Sequence, residues 1–200
     1  HGVSFLVSLF LGRLPRPEVA LAVFGVVDSA LKVLLSPLRN LTITVQALAH
    51  RRSDYVVLAR FCIQIALLFG GLMALFFVPA INTFTLTGAM GLTSDLADYA
   101  GHALGIGVAL ALCTGAAATI RGFLITSKET RVLALSSALR LIAVGAVGVT
   151  AVTLEAGNGA AAGLWALTAA FLTEALVLAY RAQKMRKAGQ LTPGGVAKPK

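Results

Sequence analysis

The residues with the clearest chemical potential are charged side chains inside apolar stretches of the sequence. Arg140 lies within SSALRLIAVGAVG and Glu174 within FLTEALVLAY. A charge near the centre of a bilayer costs from about 2.5 to more than 10 kcal/mol, so it needs a partner or water. Each residue lies about 10–14 Å along a helix from the nearest basic loop residue. Opposite charges at similar depth predict an Arg140–Glu174 ion pair, either as a purely structural brace or as part of a functional site.

A second set of polar residues has the spacing of one helical face. Asp28 and Lys32 form an i,i+4 pair in the favourable order. Arg39 and Gln46 have no local acid, so the second half of this face is cationic. The face cannot contact lipid; either it lines a water-filled cavity, or Arg39 extends to the membrane interface. The first alternative predicts that Lys32, Arg39 and Gln46 bind an anionic substrate. The full set is Asp28, Lys32, Arg39, Thr42 and Gln46.

Pro37 lies inside this polar face, between Lys32 and Arg39. Proline lacks a backbone N–H and clashes with the preceding helical turn, so it kinks or breaks a helix. We therefore expect a kink at Pro37 that acts as a hinge between the two bases.

Other kinds of chemistry have little support in the sequence. Neither a nucleophile–base set nor paired carboxylates nor a phosphate-binding loop is present, so an enzyme is not expected. His1, His50 and His102 are scattered, and Cys62 and Cys113 lie in apolar stretches without a CxxC motif, so no metal and no cofactor are expected. The basic residues lie between apolar runs rather than on one exposed surface, which argues against nucleic-acid binding.

Composition identifies the elements that must position these residues. Hydrophobic residues make up 58% of the 200-residue chain and charged residues only 12%, which is typical of a protein embedded in a lipid bilayer. Segments of about 20 apolar residues must cross a bilayer as helices. The fold class is therefore all-α, a polytopic transmembrane bundle of about six helices. The first segment is short and lacks an initiator Met, which predicts a truncated helix. The segments are 3–12, 18–48, 55–80, 97–120, 132–154 and 160–180.

The distribution of basic residues predicts the orientation of the bundle. Most of the 17 lysines and arginines lie in the C-terminal tail or in two loops, around Arg51 and Arg52 and from Arg121 to Arg131. Because successive spans cross the membrane in alternate directions, these two loops and the tail are on the same side. Basic loops face the cytoplasm, so a multi-pass integral membrane protein with a cytoplasmic tail is expected. Arg13 and Arg16 are the exceptions. The sequence therefore predicts two regions, a transmembrane six-helix half at 1–182 and a flexible basic tail at 183–200.

The C-terminal third of the chain resembles a known transporter family. RGFLITSKETRVLALSSALRLIAV, followed by FLTEALVLAYRAQK, is similar to the progressive ankylosis (ANK) family of membrane transporters over about residues 119–187. Arg140 and Glu174 both fall on family positions. That family resembles the larger MATE-like (MOP) superfamily of flippases and exporters, in which two six-helix halves surround a central cavity. The resemblance implies export of small anions such as pyrophosphate, nucleotide or citrate.

The chain departs from the family in length, because its six segments correspond to only the C-terminal half. Two functions are therefore consistent with the sequence. The first is half of a MATE-like transporter that exports small anions by alternating access, with a second six-helix half or other membrane subunits as partner. The second is a non-transporting accessory subunit that packs through its small-residue faces inside a larger membrane complex.

Overall fold

The computed structural model describes residues 2–14, 16–49, 52–101, 103–154 and 157–187. Within these ranges the regular structure is entirely helical. The expected all-α class is therefore confirmed. The α-helices, numbered in chain order, are α1 (Gly2–Leu11), α2 (Pro17–Leu34), α3 (Ser36–Leu48), α4 (Arg52–Ala74), α5 (Pro79–Thr83), α6 (Ser94–Ala100), α7 (Gly107–Thr126), α8 (Arg131–Thr153) and α9 (Gly159–Lys187).

Five helical segments in the described residues are long and apolar enough to cross a membrane, as in a multi-pass membrane protein. The α2 and α3 helices together make one such segment of 32 residues. The α1 helix has ten residues and is shorter than a span. The bundle therefore contains the six apolar elements that the sequence predicts, five of them of spanning length.

The centre of the bundle is formed by α7 and α9, which pack against each other. The α7 helix also packs against α3 and α4, and α9 packs against α1, α2 and α8. Glycines allow these close approaches. A Cβ atom on Gly115 would lie 2.7 Å from the Ala66 side chain, and one on Gly163 would lie 2.6 Å from the Phe24 ring. Small residues at helix contacts are typical of bundles in membranes.

The chain is interrupted at Leu35, between α2 and α3. Leu35 still donates its N–H to the Leu31 carbonyl at 2.8 Å, but the next helix begins at Ser36 with Pro37 in its first turn. Proline fits there because an N–H in the first turn has no partner within the helix. The interruption expected from Pro37 is therefore present, two residues before the proline itself.

Two predicted boundaries are wrong. The fourth apolar segment was expected to end at Ile120, but α7 continues to Thr126 because Gly122 and Leu124 are buried against neighbouring helices. The tail was expected from residue 183, but α9 continues to Lys187, and Met185 is buried. Residues 188–200, Arg51 and the histidines at positions 1, 50 and 102 lie outside the described residues.

The connection between α4 and α7 consists of short turns and helices. A 3₁₀ turn (Leu75–Phe77), α5, a π-helical turn (Phe84–Ala89), α6 and a second 3₁₀ turn (Ala103–Ile106) follow one another. The Asn82 amide donates to the Gly101 carbonyl at 2.6 Å and ties the beginning of this connection to its end. Gly101 has a φ of +49°, which favours glycine.

Candidate functional site

A cavity of about 300 Å³ lies within the bundle, between α1, α2, α3, α7, α8 and α9. Its wall combines apolar side chains, among them Leu31 and Leu167, with a concentration of charge. The charged residues of the wall are Asp28, Lys32, Arg39, Arg121 and Arg140. Polar groups inside a membrane bundle mark sites where water or a polar ligand is accommodated.

Glu174 on α9 connects two arginines of this wall. Its Oε2 accepts a hydrogen bond from Arg140 Nη1 on α8 at 3.0 Å, which confirms the predicted contact. Its Oε1 accepts a second hydrogen bond from Arg121 Nη2 on α7. The Glu174 side chain is 2% exposed, whereas those of Arg121 and Arg140 are 32% and 25% exposed. One buried carboxylate therefore holds two guanidinium groups that remain accessible from the cavity.

Phe171, one turn before Glu174 on α9, supports the same cluster. The Arg140 guanidinium lies over the Phe171 ring at 5.5 Å from its centroid, within the range of a cation–π contact. Arg140 Nε is buried and has no hydrogen-bond partner in the described part of the chain. Phe171 and Glu174 thus fix the guanidinium plane and leave the buried Nε–H donor of Arg140 without a partner in the described residues.

The pair on α2 has the predicted geometry. Lys32 Nζ donates to Asp28 Oδ2 at 2.5 Å across one helical turn. The Asp28 side chain is buried, and Lys32 is more exposed. Both residues line the cavity, so Asp28 positions the ammonium group of Lys32 at its wall.

The second half of the predicted polar face divides into two parts. Arg39 lines the cavity, is exposed, and makes no ion pair with any residue that the structure describes. Gln46 does not line the cavity, so its assignment as a substrate-binding residue has no support from this cavity and stays a prediction. The reason is packing: Thr42 donates to the Ala118 carbonyl at 2.9 Å, and α3 contacts α7 directly there. The direct contact leaves no space for the cavity beyond Thr42.

The cavity has more positive than negative charge. Lys32, Arg39, Arg121 and Arg140 contribute four cations. Asp28 and Glu174 are the two carboxylates that pair with them. Two positive charges therefore remain unbalanced within the described residues, and Arg39 is the cation without a carboxylate partner. An arrangement of this kind can attract and hold an anion.

Sequence reasoning missed Arg121, which was assigned to a cytoplasmic loop. The sequence carries a signal for its true position, because the apolar run GFLIT follows it and extends the helix beyond the arginine. Phe171 was also missed. Its only sequence signal is its position three residues before Glu174, on the same helical face.

The described residues contain no group of three or more metal-ligating side chains. Cys62 is buried, Cys113 is partly buried, and both are free thiols. Comparisons with protein-family models, curated proteins and solved structures gave no match to the chain. The resemblance to the progressive ankylosis family stays a prediction from the sequence motifs.

Proposed function

We propose that the chain is half of a membrane transporter that moves small anions through the charged cavity. The observation that carries this proposal is the excess of cations in the wall, with Arg39 free of any carboxylate partner in the described residues. Unbalanced charge inside a bundle is costly unless it faces water or binds a ligand, and a water-filled cavity lined by cations favours an anionic ligand.

The apolar part of the wall strengthens the attraction of the cavity for an anion. Coulomb energies rise as the effective dielectric constant falls, so cations beside Leu31, Leu110 and Leu167 attract an anion more strongly than the same cations in open water. Glu174 holds Arg121 and Arg140 in fixed positions, and Asp28 does the same for Lys32. An incoming anion therefore meets donors that are already ordered.

The break between α2 and α3 supplies a hinge for alternating access. Lys32 lies before the break and Arg39 after it, and Leu35 at the break lines the same cavity. A change in the angle between α2 and α3 would move one base relative to the other. Such a movement would weaken the binding of the anion by the two bases when the cavity opens to one side of the membrane.

The remaining parts of the proposal follow from the predicted orientation and length. The end of the bundle with the α7–α8 turn and the end of α9 would face the cytoplasm. A second six-helix half, or other membrane subunits, would complete the transport path.

The test is anion efflux from liposomes, with the complete transporter reconstituted and pyrophosphate as the probe. Lys32→Gln and Arg39→Gln each remove one cation from the wall and are expected to lower efflux about tenfold or more, the usual effect of losing a charged hydrogen-bond donor. Arg16→Gln, which removes an exposed charge outside the cavity, is the matched control. Asp28→Asn leaves both bases in place and is expected to lower efflux less than either.

Two results would decide against the proposal. Normal efflux in both cavity variants would remove the role of the cavity. Absence of efflux from the parent protein would favour the non-transporting accessory subunit.

A further inference from the structure

A polar pair lies on the outer surface of α4, a helix that does not line the cavity. Arg60 and Gln64 are one helical turn apart, and both are exposed. Measured along the helix from Arg52, they lie about 12 Å and about 18 Å into the segment. A bilayer has a hydrocarbon core about 30 Å thick, so Gln64 lies near its middle.

The surroundings of this pair on α4 are apolar and exposed, as on a helix that contacts lipid. Phe61 and Leu68, the exposed neighbours on the same helix, are hydrophobic. Arg60 makes no ion pair with another described residue. An arginine and an amide without protein partners would be costly at this depth in lipid.

The outer surface of α8 and α9 shows what a lipid-facing surface of this chain looks like. The exposed side chains of α8 and α9 include Leu135, Ile142, Val149, Leu172 and Leu176. No charged residue described between positions 132 and 180 is exposed. The exposed polar pair Arg60 and Gln64 therefore distinguishes the α4 surface from the apolar surface of α8 and α9.

A second copy of this chain does not fit the α4 surface. Two copies in the same membrane orientation would bring the Arg60 side chains together at equal depth, where their like charges repel. The carboxylates that lie deep in the described spans are Asp28 and Glu174, and both are buried and paired. A second copy therefore offers no carboxylate to Arg60.

We infer that α4 docks through Arg60 and Gln64 onto a transmembrane helix that lies outside these 200 residues and is not a second copy of them. That helix presents a carboxylate at the depth of Arg60 and a hydrogen-bonding side chain one turn further towards Gln64. A buried arginine–carboxylate pair sets the register of two helices because its hydrogen bonds are directional. This inference concerns the outer surface and holds whether or not the cavity transports anions.

The experiment uses spin labels on the full-length protein in its native membrane, with Cys62 and Cys113 replaced by alanine. One label is placed at Leu68→Cys, one turn from Gln64 on the same surface. The matched control is Ile142→Cys, an equally exposed position on α8. The electron paramagnetic resonance spectrum reports the mobility of each label and its collisions with oxygen, which concentrates in lipid.

We expect the label at position 68 to be immobilised and shielded from oxygen, and the label at position 142 to be mobile and exposed to it. Arg60→Glu should abolish the immobilised signal at position 68, whereas Arg60→Lys should keep it. An unchanged signal from the control label shows that the Arg60→Glu protein is folded and inserted.

Three results would overturn the inference. A label at position 68 with the oxygen exposure of position 142 would mean that Arg60 extends to the interface and α4 contacts lipid. Magnetic broadening between labels at position 68 would mean that a second copy occupies the surface. An immobilised signal that survives Arg60→Glu would mean that the partner offers no carboxylate.

Discussion

Glu174→Gln is the substitution with the largest expected effect on stability. It removes the carboxylate that Arg121 and Arg140 share and leaves two guanidinium groups without a counter-charge. Removing one partner of a buried ion pair costs about 3–5 kcal/mol. Both arginine side chains have some access to the cavity, and glutamine still accepts one hydrogen bond. We therefore expect a loss of about 3 kcal/mol, at the lower end of that range.

The assay is equilibrium unfolding of the purified protein in mixed micelles, followed by helical circular dichroism. The matched control is Glu129→Gln, the same chemical change in the ion pair that joins the α7–α8 turn to α9. Glu129 Oε2 accepts a hydrogen bond from Arg181 Nη2 at 3.1 Å, but both side chains are about one-third exposed. Exposed pairs contribute about 0–1 kcal/mol, so the control should be close to the parent.

A double variant separates the interaction from the loss of the side chain. Glu174→Gln combined with Arg140→Gln removes one of the two uncompensated cations. The double variant should therefore be less destabilised than the sum of the two single variants. A Glu174→Gln protein as stable as the parent, or strict additivity in the double variant, would refute the role of Glu174 as the shared counter-charge.

Two further predictions concern packing and orientation. Gly122→Ala should destabilise the bundle by about 1–3 kcal/mol, because the added Cβ would lie 2.7 Å from Val45 Cβ where α7 meets α3. The control is Gly145→Ala, because a Cβ added at Gly145 would meet open space. It should be neutral or stabilising by up to about 1 kcal/mol in the same unfolding assay. Single cysteines at Asp95 and Lys128 should react with a membrane-impermeant maleimide from opposite sides of the membrane, and labelling from the same side would reject the predicted topology.

The sequence predicted those parts of the fold that depend on local patterns. Apolar segments of spanning length identified the helices, because lipid allows few alternatives to a helix. Pro37 predicted the interruption between α2 and α3 for an equally local reason. The Arg140–Glu174 contact was also predictable, because the two helices are consecutive and antiparallel and the depth of each residue can be counted from the basic turn.

The parts that were missed depend on contacts between helices distant in sequence. Arg121 joins Glu174 across 53 positions, and its assignment to a loop followed from ending α7 at the first charge. Gln46 has the correct helical spacing, but direct packing of Thr42 against Ala118 excludes it from the cavity. Spacing along one helix predicts the side of the helix on which a residue lies. Whether that side lines a cavity depends on how the neighbouring helix packs against it.

The most direct test of the charged cavity is equilibrium binding of pyrophosphate to the purified protein, measured by isothermal titration calorimetry. All the residues that line the cavity belong to the described part of this chain, so the measurement needs no second half or other subunit. Arg39→Gln removes the cation without a carboxylate partner and should weaken binding about 10- to 150-fold, while Arg16→Gln should leave it unchanged. No binding by the parent, or equal binding by the parent and Arg39→Gln, would contradict an anion site formed by these cations.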